Sequence, residues 1–197
     1  MTRPFLVFSL PRSACAWTGA YLTYKDWMCF HNVSVALKKA SDLDLIFDRQ
    51  KFGIADTSLA LIWPEVIEKL SHAKIVVLRR PIDEVLYAMT LQGYDPRAVE
   101  GALRRIDFAL DEIESLSGVL KVKFDDLFKE PTAKRLFEFC LPYKFDPDWW
   151  AIAKSVIVEQ DQQVLQAKLA ANAVGYNNVF GQACAYYDGR LKQKVFA

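Results

Sequence analysis

Long apolar runs are missing from this chain: no segment approaches the roughly 20 residues that a membrane-spanning helix needs. Met1 to Leu10 is short for a signal peptide and has no small-residue cleavage site, so a cytoplasmic location is expected. Cysteine is sparse. Cys15, Cys29, Cys140 and Cys184 stand apart without C-x-x-C spacing, which suggests neither zinc nor a disulfide scaffold and fits a reduced compartment. An excess of one charge is also lacking, since the net charge is +1; this argues against nucleic acid or a membrane as partner. The glycines never fall into G-x-x-x-x-G-K-[ST], which disfavours a nucleoside triphosphate kinase of the usual kind. Repeats, low-complexity tracts and linkers are absent. At 52% hydrophobic and 25% charged, the 197 residues are long enough and ordinary enough for one soluble domain with one sizeable core.

What the chain does have begins at Phe5. A short apolar run ends at Pro11 and yields to a small polar loop, Arg12-Ser13-Ala14-Cys15-Ala16. Trp17, Tyr21, Tyr24 and Met28 then follow at helical spacing. Strand, tight loop and helix in that order leave the first N–H groups of the helix facing one point, with Arg12 beside them. Peptide dipoles and a guanidinium together suit phosphate or sulfate. An ordinary strand-to-helix turn with a surface arginine has the same outline. A cysteine-based phosphate loop would need an arginine about six residues after its nucleophile, and Tyr21 stands there. Cys15 is therefore either a thiol activated by the helix start or a small residue that permits close backbone approach.

A second stretch, Ala73 to Val85, holds Ile75-Val76-Val77-Leu78 between charges, the pattern of a buried parallel strand. Pro81 fits a helix start, and Asp83 and Glu84 suit its positive end. Arg79 and Arg80 fall at the carboxyl end of the strand, where open α/β sheets bind ligands, although solvated charges ending a strand would look alike. Further on, Val99, Leu103, Ile106, Leu110 and Ile113 predict an amphipathic helix over about 96–117, with Asp107, Asp111 and Glu114 on a solvated face and Gly118 as its stop. Residues 119–124 alternate as a strand, and 132–141 read as a helix packed through Leu136, Phe137 and Phe139. The chain after Trp150 reads as helical to about 173 and irregular beyond.

These segments together resemble the sulfotransferases. Pro11, Arg12, Ser13 and Trp17 match that family's P-[RK]-S/x-G-[ST]-[ST]-W phosphosulfate loop; Ala14 replaces its glycine, and Cys15 and Ala16 replace its hydroxyl residues. Arg79, Pro81 and Asp83 match its R-[ND]-P-x-D frame, with Tyr87 where a serine is usual. Gly53-Ile54-Ala55-Asp56-Thr57 is similar to a G-x-x-D-T segment of compact members, including those from phage genomes. Cys29-Phe30-His31-Asn32 is similar to their C-x-H-E, with asparagine for the acid. Leu120 to Pro131 resembles the family's strand with its Y-E-D-L-like turn and proline-started helix, so the matching blocks run from about 5 to 141 of a single domain over 1–197, with an extension over 145–197.

The resemblance implies a three-layer, P-loop-like α/β fold with a central, mainly parallel sheet flanked by helices. It implies transfer of a sulfuryl group from 3′-phosphoadenosine 5′-phosphosulfate (PAPS) to a hydroxyl or amine acceptor whose identity the sequence does not carry. No metal is expected. Cofactor contacts would come from Arg12, Ser13, Ala14, Cys15, Ala16 and Trp17, with Arg79 on the 3′-phosphate and Tyr87 nearby. Arg12 would also stabilise charge during transfer, and His31 or Asp56 would act as base, His31 preferred for its near-neutral pKa. His31 as an ordinary turn histidine is the alternative. Gly189-Arg190-Leu191-Lys192 is a candidate closing loop, and Trp149 and Trp150 are core anchors or acceptor contacts. A nucleotide kinase or another phosphate-handling enzyme, and a non-catalytic nucleotide-binding relic, remain open because the fold alone does not determine chemistry.

Overall fold

The computed structural model describes residues 3–35 and 50–155. Five strands form one all-parallel sheet: β1 (Phe5–Ser9), β2 (Met28–His31), β3 (Phe52–Asp56), β4 (Lys74–Arg79) and β5 (Leu120–Lys123), in the spatial order β2-β3-β1-β4-β5. Every residue of β1 and β3 is buried, as expected of strands covered on both faces. The helices are α1 (Cys15–Leu22), α2 (Trp63–Lys69), α3 (Ile82–Thr90), α4 (Pro96–Glu114), α5 (Phe124–Leu127), α6 (Glu130–Cys140) and α7 (Pro147–Ser155). None of the described helices is long and apolar enough to cross a membrane.

Strand alternation divides the core in two. Phe5, Val7, Val76 and Leu78 meet Trp17 and Tyr21 of α1, Leu136 and Phe137 of α6, and Trp150 of α7. Leu6, Phe8, Ile54 and Val77 meet Val66 of α2, Val85 of α3, and Leu103, Ile106 and Leu110 of α4. Helices therefore cover both faces, an arrangement compatible with three layers. Phe5 lies directly across from Gly53 in the sheet, and its ring occupies the space that a Cβ on Gly53 would need.

α1 is shorter than the spacing of Trp17, Tyr21, Tyr24 and Met28 predicts. It stops at Leu22 because Thr23 leaves helical geometry and its hydroxyl bonds the Gly19 carbonyl at 2.9 Å. Lys25 then takes a positive φ, Tyr24 pairs with Trp27, and Met28 opens β2. Tyr24 still joins the aromatic cluster, 5.1 Å from Phe137. β4, α4, β5 and α6 fall within a few residues of expectation, whereas β2 has no counterpart in the sequence reading. Asp95 caps α4 through the Arg97 N–H at 2.9 Å, and Gly118, at φ +77, follows its end. The 173 boundary and the 189–192 loop lie outside the described residues, as does Cys184.

The order of strands decides where a ligand can enter. β1 lies between β3 and β4, and the chain leaves β1 into α1 on one face. It leaves β3 and β4 into α2 and α3 on the other. The connections diverge on either side of β1, which opens a crevice beyond its carboxyl end. The loop Leu10–Ala14 occupies that point.

Candidate functional site

The loop is built from strained backbone. Arg12 and Ala14 both take φ near +60°, a left-handed conformation that costs a non-glycine residue about 1–2 kcal/mol. Ala14 occupies the N-cap of α1 and has no group with which to cap it. The opening N–H groups of α1 thus lack both intrahelical acceptors and a side-chain cap, and the helix dipole adds positive potential there. Ser13 is fully buried, with Oγ 3.5 Å from the Pro11 carbonyl. Below it, Ser9 Oγ and Thr18 Oγ1 are buried without a well-formed hydrogen bond among the described residues.

Parallel strands in register bring three of the expected residues, His31, Asp56 and Arg79, to one edge beside Ser9. Ser9, His31, Asp56 and Arg79 each end a strand, Phe8 lies opposite Asp56, and His31 lies opposite Ala55. Their surroundings then separate them. Cys15 is buried, and desolvation pushes its thiol up to about 12 despite the nearby Ser9 hydroxyl; it stays protonated at the helix start. It is therefore the small, close-packed residue of the two alternatives. Trp17 is a core anchor: its indole N–H bonds the Ala153 carbonyl at 2.9 Å, and its ring contacts Tyr21, Phe128 and Trp150. Trp149 likewise donates to the Tyr21 carbonyl at 2.9 Å, which ties α7 to α1.

Asp56 is a brace. One carboxylate oxygen accepts from Ser34 Oγ at 3.0 Å, Ser58 N at 2.8 Å and Leu59 N at 3.3 Å; the other accepts from Ser34 N at 2.9 Å. Burial pushes its pKa up, and these donors pull against that shift. Both oxygens are thereby committed to holding the turn at 33–35 and the start of the 3-10 turn Ser58–Ile62. His31 is half-buried where β2 ends, beside Gly19, whose close approach leaves only 3.3 Å between a Cβ there and His31 Cβ. Burial lowers the imidazole pKa below 6.5, with Asp56 partly opposing, so the ring is neutral near pH 7. Neutral imidazole is the form that accepts a proton.

The arginines differ most from expectation. Arg79 continues the Val77 face of β4 and so points to α4. Its Nε bonds Glu114 at 2.8 Å, Nη1 bonds Asp107 at 2.6 Å, and Nη2 bonds Asp111. The carboxylates expected on a solvated face of α4 are the partners of this guanidinium. Arg80 is the arginine brought to the loop. Its Nη1 donates to the Arg12 carbonyl at 2.5 Å, its Nε meets Glu84 at 3.2 Å, and its guanidinium lies 4.1 Å from the centre of the Phe124 ring. The Arg12 side chain runs the other way along α3. With the Gln92 amide oxygen assigned to face it, Gln92 accepts from Nη1 at 3.1 Å and Nη2 at 2.9 Å. Burial, and then the charge of Arg80, lower the Arg12 pKa, with Tyr94 opposing. Tyr87 projects outward from α3 and is 67% exposed.

Sequence reasoning missed Arg80 and Gln92 as neighbours of Arg12, and Phe124 as the ring under Arg80. The available signal was period two in β4, where Val77 and Arg79 share a face, together with the acidic row at 107, 111 and 114 one to two turns apart. No protein-family model and no curated protein matches this chain.

Proposed function

We propose that the protein binds 3′-phosphoadenosine 5′-phosphosulfate at the loop 10–16 and transfers its sulfuryl group to a hydroxyl or amine acceptor. The observation that carries this reading is the uncapped, left-handed loop at the divergence point of the sheet, with the Arg80 guanidinium bonded to its Arg12 carbonyl. A sulfotransferase-like, P-loop-like identity for the fold and a cytoplasmic setting belong to the same proposal, and the free thiols of Cys15, Cys29 and Cys140 are in keeping with it.

In the reaction, the acceptor oxygen or nitrogen attacks sulfur in line with the bridging oxygen of the phosphosulfate. The new O–S or N–S bond forms as the S–O bond to the 5′-phosphate breaks. Adenosine 3′,5′-bisphosphate leaves with the electron pair, and the acceptor proton passes to a base. Arg12 and the opening N–H groups of α1 would oppose charge on the transferred group and leaving phosphate. His31, neutral near pH 7, is the base better suited to the task, because Asp56 already spends both oxygens on backbone and serine donors.

A second reading, nucleotide binding without turnover, is favoured by one specific feature. Asn32 follows His31 where an orienting acid would stand, so the next residue supplies no carboxylate to aim the ring. A thermal-shift panel separates the readings. Adenosine 3′,5′-bisphosphate should raise the melting temperature, by the linkage that any native-state ligand obeys, and ATP with magnesium should not. Stabilisation by ATP with magnesium alone would instead indicate a phosphoryl-transfer enzyme. Bisphosphate binding with no turnover for any acceptor would leave the non-catalytic reading.

A further inference from the structure

We infer that Arg80, rather than Arg79, is the second cation of the oxyanion site, and that it takes a tetrahedral phosphate or sulfate group beside the loop that Arg12 closes. The inference rests on the nucleotide reading above for its ligand, but its geometry is independent of it.

An arginine that binds a ligand needs N–H groups left over from its protein contacts. Arg79 has few to offer. Its Nε, Nη1 and Nη2 are each taken by a different carboxylate of α4, and Nη1 is also 3.3 Å from the Asp107 carbonyl. One cation among Asp107, Asp111 and Glu114 leaves a local excess of two negative charges, which Lys121, 3.8 Å from Glu114, only partly offsets. An oxyanion would be repelled there.

Arg80 has the opposite balance. Arg80 itself meets a single carboxylate, Glu84, whose side chain is 46% exposed. Nε and Nη1 of Arg80 are used; Nη2 makes no hydrogen bond among the described residues. The contacts it does make fix its plane. Phe124, just past β5, lies under the guanidinium, and the Arg12 carbonyl holds one edge. A guanidinium already immobilised loses little entropy on binding a further oxyanion, and its planar fork suits phosphate or sulfate. The register agrees: Leu78 lies opposite Ser9, so two residues on, Arg80 is level with the loop that follows β1.

The test is calorimetric titration of the full chain with adenosine 3′,5′-bisphosphate and, separately, with inorganic sulfate. Arg80→Gln should weaken both by about tenfold or more, the range for a lost charge-assisted hydrogen bond. Arg79→Gln should leave both affinities within about threefold, because every nitrogen of Arg79 already bonds a carboxylate of α4. Because Arg80 also braces the Arg12 carbonyl, Arg80→Lys is the control. Restored charge should recover part of the affinity and its salt dependence, whereas a purely structural brace would lose as much in Lys as in Gln. Loss in Arg79→Gln with none in Arg80→Gln would overturn the inference and leave the nucleotide reading standing. Sulfate binding that depends on Arg80, without bisphosphate binding, would uphold the inference and remove the nucleotide reading. Binding of neither ligand by the wild type would overturn both.

Discussion

Asp56→Asn separates a structural carboxylate from a catalytic one, and the hydrogen bonds allow its effect to be sized. The most favourable asparagine rotamer keeps its oxygen where three donors converge: Ser34 Oγ, Ser58 N and Leu59 N. Its amide NH2 then faces the Ser34 N–H, which donates to the other carboxylate oxygen at 2.9 Å. Two donors oppose each other there, and a buried N–H left unsatisfied costs about 1–3 kcal/mol. The three remaining bonds change from charge-assisted to neutral and lose part of their strength. Removing the buried charge returns some of this, as the upward push of burial on the Asp56 pKa indicates. A net destabilisation of about 2–3 kcal/mol follows, or roughly 4–12 °C in melting temperature for a domain of this size. Urea and thermal unfolding of wild type and variant measure it. A melting temperature within about 1 °C of wild type would refute the brace, and if sulfate transfer were lost at the same time, Asp56 rather than His31 would be the base.

Three further outcomes follow from the same contacts. Arg79→Gln strands Asp107, Asp111 and Glu114 without their shared cation and should lower stability by about 1–2 kcal/mol at neutral pH. Burial already pushes Asp107 up and Arg79 holds it down, so melting curves of variant and wild type should converge as pH falls and the carboxylates protonate; a constant gap would contradict this. Gly53→Ala drives a methyl group into the Phe5 ring and should cost about 1–3 kcal/mol by urea unfolding, partly relieved by Phe5→Leu in the double variant; additive effects would be the contrary result. His31 should titrate below 6.5 by NMR. The unfolded chain then takes up that proton first as pH falls, so this residue lowers stability below about pH 6.5, and His31→Gln should flatten that slope while reducing turnover roughly 10²–10⁴-fold; a midpoint at or above 6.5 would contradict the burial argument.

The architecture was legible wherever a strand is buried on both faces or a helix has one apolar stripe. Phe5–Phe8 and Ile75–Leu78 read as continuous apolar runs, and α4 announced itself through the row from Val99 to Ile113. The end of α1 was not legible, because Tyr24 keeps helical spacing while Thr23 diverts the backbone through a local hydroxyl bond. At the site, the arrival of Arg12, His31, Asp56 and Arg79 at one sheet edge follows from parallel strands of matched length. Which of them faces the loop depends on long-range partners. Arg79 is taken by a helix about 30 residues downstream, and Asp56 by serines on both sides of it in sequence. Strand period assigns Arg79 its face, but only tertiary packing reveals that α4 presents carboxylates there.

The loop 10–16 is proposed to hold the phosphosulfate end of the nucleotide. A crystal structure with adenosine 3′,5′-bisphosphate bound tests it most directly. The expected result is the 5′-phosphate within hydrogen-bond distance of backbone N–H groups of residues 13–16 and of an arginine, Arg12 or Arg80, with His31 open to the same crevice. A bisphosphate seated away from the carboxyl edge of β1, with the loop bearing no phosphate, would contradict it.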